Sequence, residues 1–412
     1  MRDVAIIGAG MTNFGKFLDR NMKDLCREAV QGALDSAGLD KSKLQAAVVG
    51  NATAGLITGQ EMIRGQVALR DMGIGGIPII NTENACASSS TAFHVAWTYV
   101  ASGMYDIALA VGMEKLYHED KTRSFKAIGS AVDIEWVQQM QEAAAAAKEA
   151  KAKDQDNPGV AEGAGEKRSM FMDFYAAFAR AHMQRYGTTK EQFARIAVKN
   201  HYHGSLNPHA QYREVYTLED ILAAPPVAEP LTRLMCSPIG DGAAAAVLVS
   251  PEIARQMTSK PVWVKASVLN SGFDRKPGED DVTTVTAKQA YEKAGVGPED
   301  LNVLEVHDAS APAELVLYEE LGLCAEGEGG ALIDSKATYF DGPKAVNPSG
   351  GLISKGHPIG ATGVAQIYEI FTQLRGEAGD RQVKNAKLGL TENGGGMVKG
   401  DPAAVSVHIF AV

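Results

Sequence analysis

The sequence predicts an α/β protein made of two similar halves. Short apolar segments alternate with amphipathic segments along most of the chain, which is typical of strands that alternate with helices. One helix–turn–strand pattern occurs twice, and a stretch of different composition lies between the two copies. Alternating strands and helices favour parallel sheets, and such proteins place functional side chains in the loops at strand ends. We therefore expect two α/β halves whose loops meet at one cleft.

Length and composition limit the classes of protein that the chain can belong to. It has 412 residues, too many for one hydrophobic core, so two domains or two domains with an insertion are expected. The net charge of −10 and the scattered basic residues argue against a nucleic-acid partner. No apolar run approaches the roughly 20 residues that cross a bilayer, so no membrane span is expected. The four cysteines lie far apart without metal-ligand spacing, which predicts reduced thiols, a cytoplasmic location and no metal site.

The first predicted strand ends in Gly8-Ala-Gly10, which resembles the opening of a dinucleotide-binding loop. Asn13 stands where the third glycine of that motif belongs, and no capped helix follows at once. A strand followed by a turn is therefore favoured over a nucleotide site. The apolar positions of this strand and the later ones should be buried. They are Val4, Ile6, Val48, Val49, Ile107, Leu109, Val111, Val247, Val249, Val264, Val303 and Val306.

The duplication rests on matching segments in the two halves. Helices over 25–37 and 285–294 each precede an apolar strand, and the two strands end at Asn51 and His307. The next pair consists of the loops 81–86 and 347–363, with the strands 105–111 and 386–390 that follow them. Further strands are predicted over 243–249 and 261–269. The similarity places corresponding loops opposite each other.

These segments predict the domain boundaries. The first half covers 1–115 and 232–258, an inserted cover domain spans 116–231, and the second half covers 259–412. Within the insertion, the alanine- and lysine-rich run at 143–153 fits a solvated helix or a flexible linker equally well. An aromatic and basic helix over 171–186 is placed to help cover a ligand.

Three loop residues carry candidate chemistry. Cys86 lies between a short apolar segment and a helical pattern, where the helix dipole should lower its pKa from about 8.5 and make it a nucleophile. His357 lies in a glycine-dense loop that opens into a helix, and His307 follows a strand. A lone histidine in such a loop is more often structural. Because Cys86 and His357 occupy matching loops, a functional set is favoured over separate turns.

These motifs resemble those of the thiolase superfamily, in particular the sterol-carrier-type (lipid-transfer-type) thiolases and acetyl-CoA acetyltransferase-like proteins. The resemblance spans nearly the whole chain. It rests on Cys86 before a helix, the His307-Asp308 loop, the run Gly356-His-Pro-Ile-Gly-Ala-Thr-Gly363, and the triplet Gly394–Gly396. It implies the thiolase fold, with duplicated βαβαβ halves in a five-layer αβαβα core and an inserted loop domain. It also implies at least a homodimer.

The resemblance implies roles as well. Cys86 would be the acylated nucleophile, His357 its base, and His307 with His357 one oxyanion site. The Cys86 amide and an amide of Gly394, Gly395 or Gly396 would form another. The implied reaction is cleavage of a β-ketoacyl-CoA by coenzyme A, which is a co-substrate, with no covalently bound cofactor. Ser237 would contact the pantetheine arm, and Lys167 and Arg168 are candidates for its phosphates, although a solvated face fits them equally.

The sequence departs from the family pattern at one position. Most thiolases carry a second cysteine before the terminal glycines, and sterol-carrier-type enzymes usually carry one after the His-Asp pair. This chain has Glu392 and Ala309 at these places. Glu392 in an apolar cleft would have a raised pKa and could exchange protons near neutrality, whereas a capping glutamate is the alternative.

Two alternative functions and the identity of the acyl group stay open. Cys86, His307 and His357 also resemble the Cys-His-His set of condensing ketoacyl synthases, which need no second base. The chain could instead be a thiolase-like subunit that works only with a small partner of zinc-ribbon and OB-fold type. The small Ala309 and the aromatic helix predict room for a bulky or aryl acyl group.

Overall fold

The computed structural model describes residues 1–139, 142, 168–257, 260–276 and 278–412. The run at 143–153 and Lys167 lie outside the described residues. The strands are β1 Ala5–Met11, β2 Ala46–Gly50, β3 Ile79–Thr82, β4 Ile107–Glu114, β5 Pro226–Ala228, β6 Leu231–Thr232, β7 Gly242–Val249, β8 Val262–Ser271, β9 Val303–Glu305, β10 Ala345–Val346, β11 Leu388–Val398 and β12 Asp401–Ala411. The principal α-helices are α1 Met22–Ala37, α2 Ala54–Thr58, α3 Arg64–Asp71, α4 Ser88–Ala101, α5 Lys121–Gly129, α6 Met170–Tyr186, α7 Lys190–Ser205, α8 Leu218–Ala223, α9 Pro251–Met257, α10 Val282–Ala294, α11 Ala311–Glu320, α12 Gly329–Asp334, α13 Gly351–Lys355 and α14 Thr362–Arg375.

Ten of the strands form one sheet in which the two halves repeat the same order. The first half runs β3-β2-β4-β7-β1, and the second runs β10-β9-β11-β12-β8. When the five strands of each half are numbered 1 to 5 in chain order, both halves have the spatial order 3-2-4-5-1. This match confirms the predicted duplication.

The directions of the strands differ from the prediction of parallel sheets. Only β2 with its neighbours β3 and β4, and β9 with its neighbours β10 and β11, are parallel pairs. The last strand of each half, β7 or β12, is antiparallel to both of its neighbours. The two halves also meet edge to edge, because Ala5 and Ile6 of β1 pair with Trp263 and Val262 of β8. Alternation along the chain cannot show such distant pairing.

Helices α4 and α14 lie between the two halves of the sheet. Phe93 and Ala96 of α4 and Val364 and Ile367 of α14 share one buried cluster with side chains of both halves. Helix α1 covers the outer face of the first half, and α10 and α11 cover that of the second. Each fully buried large apolar side chain contributes about 1.5–3 kcal/mol. The layers follow the order αβαβα and confirm the predicted thiolase fold.

Helix α1 shows why the first strand carries two glycines. The helix begins after Asn21, whose side chain accepts from the amide of Asp24, and it ends at Gly38 with φ +62°. A Cβ on Gly8 would lie 2.3 Å from the Ala33 oxygen, and one on Gly10 would lie 2.5 Å from the Ala29 oxygen. The glycines therefore let α1 pack directly on β1, and they do not belong to a nucleotide loop.

The predicted local elements agree with the structure where it describes them. All the listed strand positions from Val4 to Val306 are buried. The aromatic helix predicted over 171–186 is α6. The three domain boundaries stay predictions, because a continuous sheet joins the two halves.

Candidate active site

Cys86 lies in a strained turn between β3 and α4. The turn Ala85–Ala87 is a single 3₁₀ turn, and Ala85 has φ +47°, a left-handed value that is uncommon for a residue with a Cβ. The Ser88 hydroxyl donates to the Ala85 carbonyl at 2.6 Å and accepts from the Asn84 amide at 3.0 Å. Cys86 keeps part of its surface accessible. The turn thus holds a reachable thiol at the start of a buried helix.

His357 faces this thiol from the corresponding loop of the second half. Its Nε2 lies 3.2 Å from Cys86 Sγ, and its Nδ1 lies 2.7 Å from Thr362 Oγ1. The Thr362 hydroxyl donates to the Pro358 carbonyl at 3.1 Å, so its oxygen accepts the hydrogen bond from Nδ1–H of His357. This leaves Nε2 unprotonated and turned toward the thiol, as a base requires.

His307 completes the group. Its ring centroid lies 5.2 Å from that of His357, and its Nε2 is buried without a hydrogen-bond partner among the described residues. A ligand atom of each of Cys86, His307 and His357 lies within 4.8 Å of the others. A thiol and two imidazoles could hold a soft metal ion, although the sequence predicted no metal here. The unpaired nitrogen can instead donate to a bound carbonyl oxygen.

The charge states of the dyad differ from the sequence prediction. Burial raises the pKa of the Cys86 thiol to about 12, and the carboxylate of Glu114 raises it further, whereas the amides of Gly396 and Cys86 act in the opposite direction. The expected lowering by the helix terminus is therefore wrong, since desolvation outweighs the dipole. Burial also moves the pKa of His357 well below its usual value, and that of His307 to about 4. The resting pair is a neutral thiol and a neutral imidazole.

Glu392 lies on β11 beside His307. Its Oε2 accepts the His307 backbone N–H at 3.0 Å, and its side chain is almost fully buried. Burial raises the pKa of Glu392 to about 7, the hydrogen bond from His307 opposes this, and the charge of Asp281 adds to it. The carboxyl group is thus poised to gain or lose a proton near neutrality, as the sequence predicted.

The terminal glycines approach the nucleophile turn closely. The Gly396 amide bonds to Cys86, and Gly396 has φ +64°. A Cβ on Gly395 would lie 2.1 Å from the Asn84 oxygen, so only glycine fits there. A Cβ on Gly394 would find its nearest neighbour at 3.6 Å. The close approach therefore depends on Gly395 and Gly396.

The three residues predicted to contact coenzyme A lie in different settings. The Ser237 amide donates to the Ala309 carbonyl at 3.0 Å, which places Ser237 against the His307 loop. Arg168 forms an ion pair with Asp173 at 2.6 Å. Lys167 lies outside the described residues. Ser237 thus adjoins a loop of the active site.

Two residues near the site were missed in the sequence. Burial raises the pKa of Tyr175 on α6, and the charges of Cys86, Glu392 and Asp308 raise it further, so the predicted cover helix brings a phenol near the reacting groups. Glu114 ends β4 and bonds to the loop of His357. It follows the rule that a polar residue ends an apolar strand, but the predicted strand stopped at Val111.

Several other histidine, cysteine and aspartate side chains make structural contacts. His94 bonds to Ser267, the His118 ring accepts from the Asp120 amide, and Cys26 is fully buried on α1. Asp241 accepts hydrogen bonds from the amides of Leu116 and Tyr117 and so orders a turn.

Among the described helices, none is long and apolar enough to cross a membrane.

Known proteins resemble this chain in sequence and in fold. The family model "Thiolase, N-terminal domain" matches residues 4–252, and "Thiolase C-terminal domain-like" matches residues 277–408. The acetyl-CoA acetyltransferase of Methanothermobacter thermautotrophicus is 41% identical over all of both chains. Sterol carrier protein 2 of Oryctolagus cuniculus is 36% identical, over 95% of this chain and 69% of its own. The Ltp2-ChsH2(DUF35) aldolase superposes with a TM-score of 0.77 and 25% identity, over 100% of this chain and 98% of that one. The chain belongs to the thiolase family.

Proposed function

We propose that the chain is an acyltransferase that cleaves a β-ketoacyl-CoA with coenzyme A through an acyl-Cys86 intermediate. The observation that carries the proposal is the 3.2 Å contact between Cys86 Sγ and the basic Nε2 of His357. A thiol that is neutral at rest needs a base at this distance to become a nucleophile. The names of the acetyl-CoA acetyltransferase relatives support acyl transfer.

In the first half-reaction, Nε2 of His357 takes the thiol proton as Sγ attacks the ketone carbon. The bond between this carbon and the α-carbon breaks, which leaves the acyl group on Cys86 and an enolate of acetyl-CoA. The amides of Cys86 and Gly396 would donate to the first oxyanion, and His307 to the thioester oxygen; the hydrogen bonds of these amides to the thiol and the unpaired Nε2 of His307 support these roles. These two donor sets correspond to the two oxyanions of the reaction.

Glu392 supplies the proton that the enolate needs. With a pKa of about 7 it is partly protonated at neutrality, so it can donate to the α-carbon and then accept the thiol proton of coenzyme A. The thiolate attacks the acyl group on Cys86, and the sulfur that leaves is protonated by His357. Protons and electron pairs balance over the two halves without another cofactor.

Replacement of Cys86 by alanine tests the proposal. The wild-type protein, incubated with a 3-ketoacyl-CoA and no free coenzyme A, should gain the acyl mass on the peptide that contains Cys86. Cys86→Ala should gain none and should not release acetyl-CoA. Release of acetyl-CoA by the alanine variant would contradict the proposal, and Cys26→Ala serves as a matched thiol control.

Two rival reactions predict other outcomes. A condensing enzyme with the same Cys-His-His set would form a carbon–carbon bond and would not depend on Glu392. An aldol cleavage, suggested by the similar Ltp2-ChsH2(DUF35) aldolase, would release a carbonyl product without any acyl-cysteine. Acyl-Cys86 trapping with Glu392→Gln as a second variant separates all three reactions.

The acyl group is proposed to be bulky or aryl. The proposal is supported by the small side chain of Ala309, two residues after His307, and by Tyr175 of α6, whose phenol lies near the reacting groups. A panel of straight-chain, branched and aryl 3-ketoacyl-CoA substrates measures this directly. An exclusive preference for acetoacetyl-CoA, which the names of the relatives would favour, would contradict it.

We further propose that the chain forms a homodimer through the edge strand β3. We also propose a cytoplasmic location and a small partner subunit of zinc-ribbon and OB-fold type. The Ltp2-ChsH2(DUF35) complex supports such a partner. Strand β3 ends the sheet and exposes Ile80. Co-purification of a short cysteine-containing protein would support the partner, whereas full activity of the isolated chain would contradict a need for it.

A further inference from the structure

Glu114 is a fully buried carboxylate surrounded by donors from three separate loops. Five N–H groups point at it: the Asn51 side chain, and the amides of Ala52, Thr53, Lys115 and Gly360, at 2.9–3.2 Å. These donors satisfy the hydrogen-bonding capacity of the carboxylate without a positively charged partner. The Gly360 amide belongs to the second half and lies three residues after His357. Glu114 therefore joins the first half directly to the loop that carries the base.

The turn that Glu114 contacts corresponds, through the duplication, to the turn that carries Cys86. In the first half, the turn Ala85–Ala87 precedes α4 and has Cys86 in its middle; in the second, the turn Ile359–Ala361 precedes α14 and has Gly360 there. The turn of Cys86 packs on the glycine end of β11, and the turn of Gly360 packs on the end of β4. A Cβ on Gly360 would lie 2.9 Å from the Glu114 carboxylate and 2.8 Å from Asn51 Cα. The turn of Cys86 therefore faces glycines of β11, whereas the turn of Gly360 faces a carboxylate at the end of β4.

We infer that Glu114 is a positioning residue that holds the Gly360 turn, and with it His357, at bonding distance from Cys86. Burial raises the pKa of Glu114, and in its ionised form its charge raises the pKa of the Cys86 thiol. The inference deepens the proposed function and rests on it for the role of His357. An error of about 1 Å in such a contact costs a rate factor of roughly 10².

The test compares Glu114→Gln with Glu369→Gln. Glu369 is an equally buried carboxylate on α14, but its partner is Arg381, and it does not contact the site. Two quantities are measured in each folded variant: kcat with a 3-ketoacyl-CoA, and the pH dependence of Cys86 alkylation by iodoacetamide. Alkylation needs no substrate, so it reports on the dyad even if the proposed reaction is wrong.

Glu114→Gln should lower kcat by roughly 10²-fold and slow the alkylation of Cys86 near neutral pH, because His357 no longer faces the thiol at bonding distance. Glu369→Gln should lower thermal stability and leave the alkylation profile unchanged. Identical profiles in the wild type and both variants would overturn the inference, whatever the activity.

A second variant covers the case in which the glutamine does not fold. Glu114→Ala removes the atoms of one acetate ion, so acetate added during refolding should occupy the five-donor site. We expect acetate to raise the melting temperature and kcat of this variant and to leave Glu369→Ala and the wild type unchanged. A Glu114→Ala protein with wild-type kcat and alkylation profile in acetate-free buffer would overturn the inference.

Discussion

Cys86 and His357 form a neutral pair in which each group is desolvated. Burial raises the pKa of the thiol and lowers that of the imidazole, so an ion pair is disfavoured before substrate binds. A neutral thiol resists alkylation and oxidation, since the thiolate is the reactive form. Proton transfer is therefore coupled to attack on the substrate, and the orientation of His357 decides whether it occurs.

Thr362 sets that orientation. Because its hydroxyl donates to Pro358, it accepts Nδ1–H of His357 and fixes the tautomer that faces Cys86. Thr362→Val keeps the shape and removes the acceptor, so we expect kcat to fall by about 10²-fold, with a slower rate of Cys86 alkylation near neutral pH. Thr362→Ser, which keeps the hydroxyl, should retain most of the activity. Equal kcat values for the two variants would show that the tautomer is not set by Thr362.

Glu392 links catalysis to stability. Burial raises its pKa from 4.5 to about 7 in the folded chain, so between these values the folded state holds a proton that the unfolded state has lost. Stability from this group is present at low pH and declines as pH rises toward 7, by roughly 3 kcal/mol in total. Glu392→Gln cannot ionise and should be more stable than the wild type at pH 8.

Urea unfolding at pH 5 and pH 8 measures this prediction. The gain from Glu392→Gln should be close to zero at pH 5, which is the internal control, and largest at pH 8. In the wild type, the pH profile of kcat should have a limb with a midpoint near pH 7. This limb should be absent from the profile of Glu392→Gln. A stability difference that does not change with pH would contradict the raised pKa.

At the scale of elements, the end of β11 and the nucleophile turn are fitted to each other without spare space. Gly395→Ala would place a methyl group 2.1 Å from the Asn84 oxygen and 2.6 Å from the Ala87 nitrogen, so the turn that carries Cys86 must shift. We expect a loss of about 1–3 kcal/mol and of most acyl transfer. Activity and thermal unfolding of purified variants measure both effects.

Gly394→Ala is the matched control for stability, because its methyl group would have no neighbour closer than 3.6 Å. It should leave stability within about 0.5 kcal/mol of the wild type. If the two alanine variants unfold alike, the close approach of β11 to the Cys86 turn does not limit stability.

The local elements could be predicted because their signals are short-range. The amphipathic pattern of α1 and the apolar run of β4 are visible in the sequence, and so are the matching loops of Cys86 and His357. The setting of Glu114 could not be predicted, since its donors come from positions 51–53, 115 and 360. The pKa of Cys86 was misjudged for the same reason, because desolvation depends on packing from both halves.

At the scale of the whole molecule, contacts between the halves cluster around α4. Besides Glu114 with Gly360, Ser90 of α4 donates to Asn393 of β11 at 2.8 Å. His94 of α4 and His408 of β12 both bond to the Ser267 hydroxyl of β8, each at 2.9 Å. The nucleophile helix is thus anchored in the second half along its length. Any loosening of this contact should move Cys86 relative to His357.

His408 makes this contact sensitive to acid. Burial lowers its pKa from 6.5 to about 3, and the charge of His94 lowers it further, so below pH 6.5 the unfolded chain binds a proton that the folded chain refuses. Its contribution to stability is therefore complete above pH 6.5 and is lost as pH falls, by about 1.4 kcal/mol per pH unit. His408→Asn keeps a polar group near Ser267 and cannot titrate. Urea unfolding at pH 6.5, 5.5 and 4.5 should show the advantage of the wild type over this variant shrinking by roughly 3 kcal/mol. Other buried groups titrate alike in both proteins and cancel, so an advantage that stays constant would mean that His408 takes up its proton in the folded state.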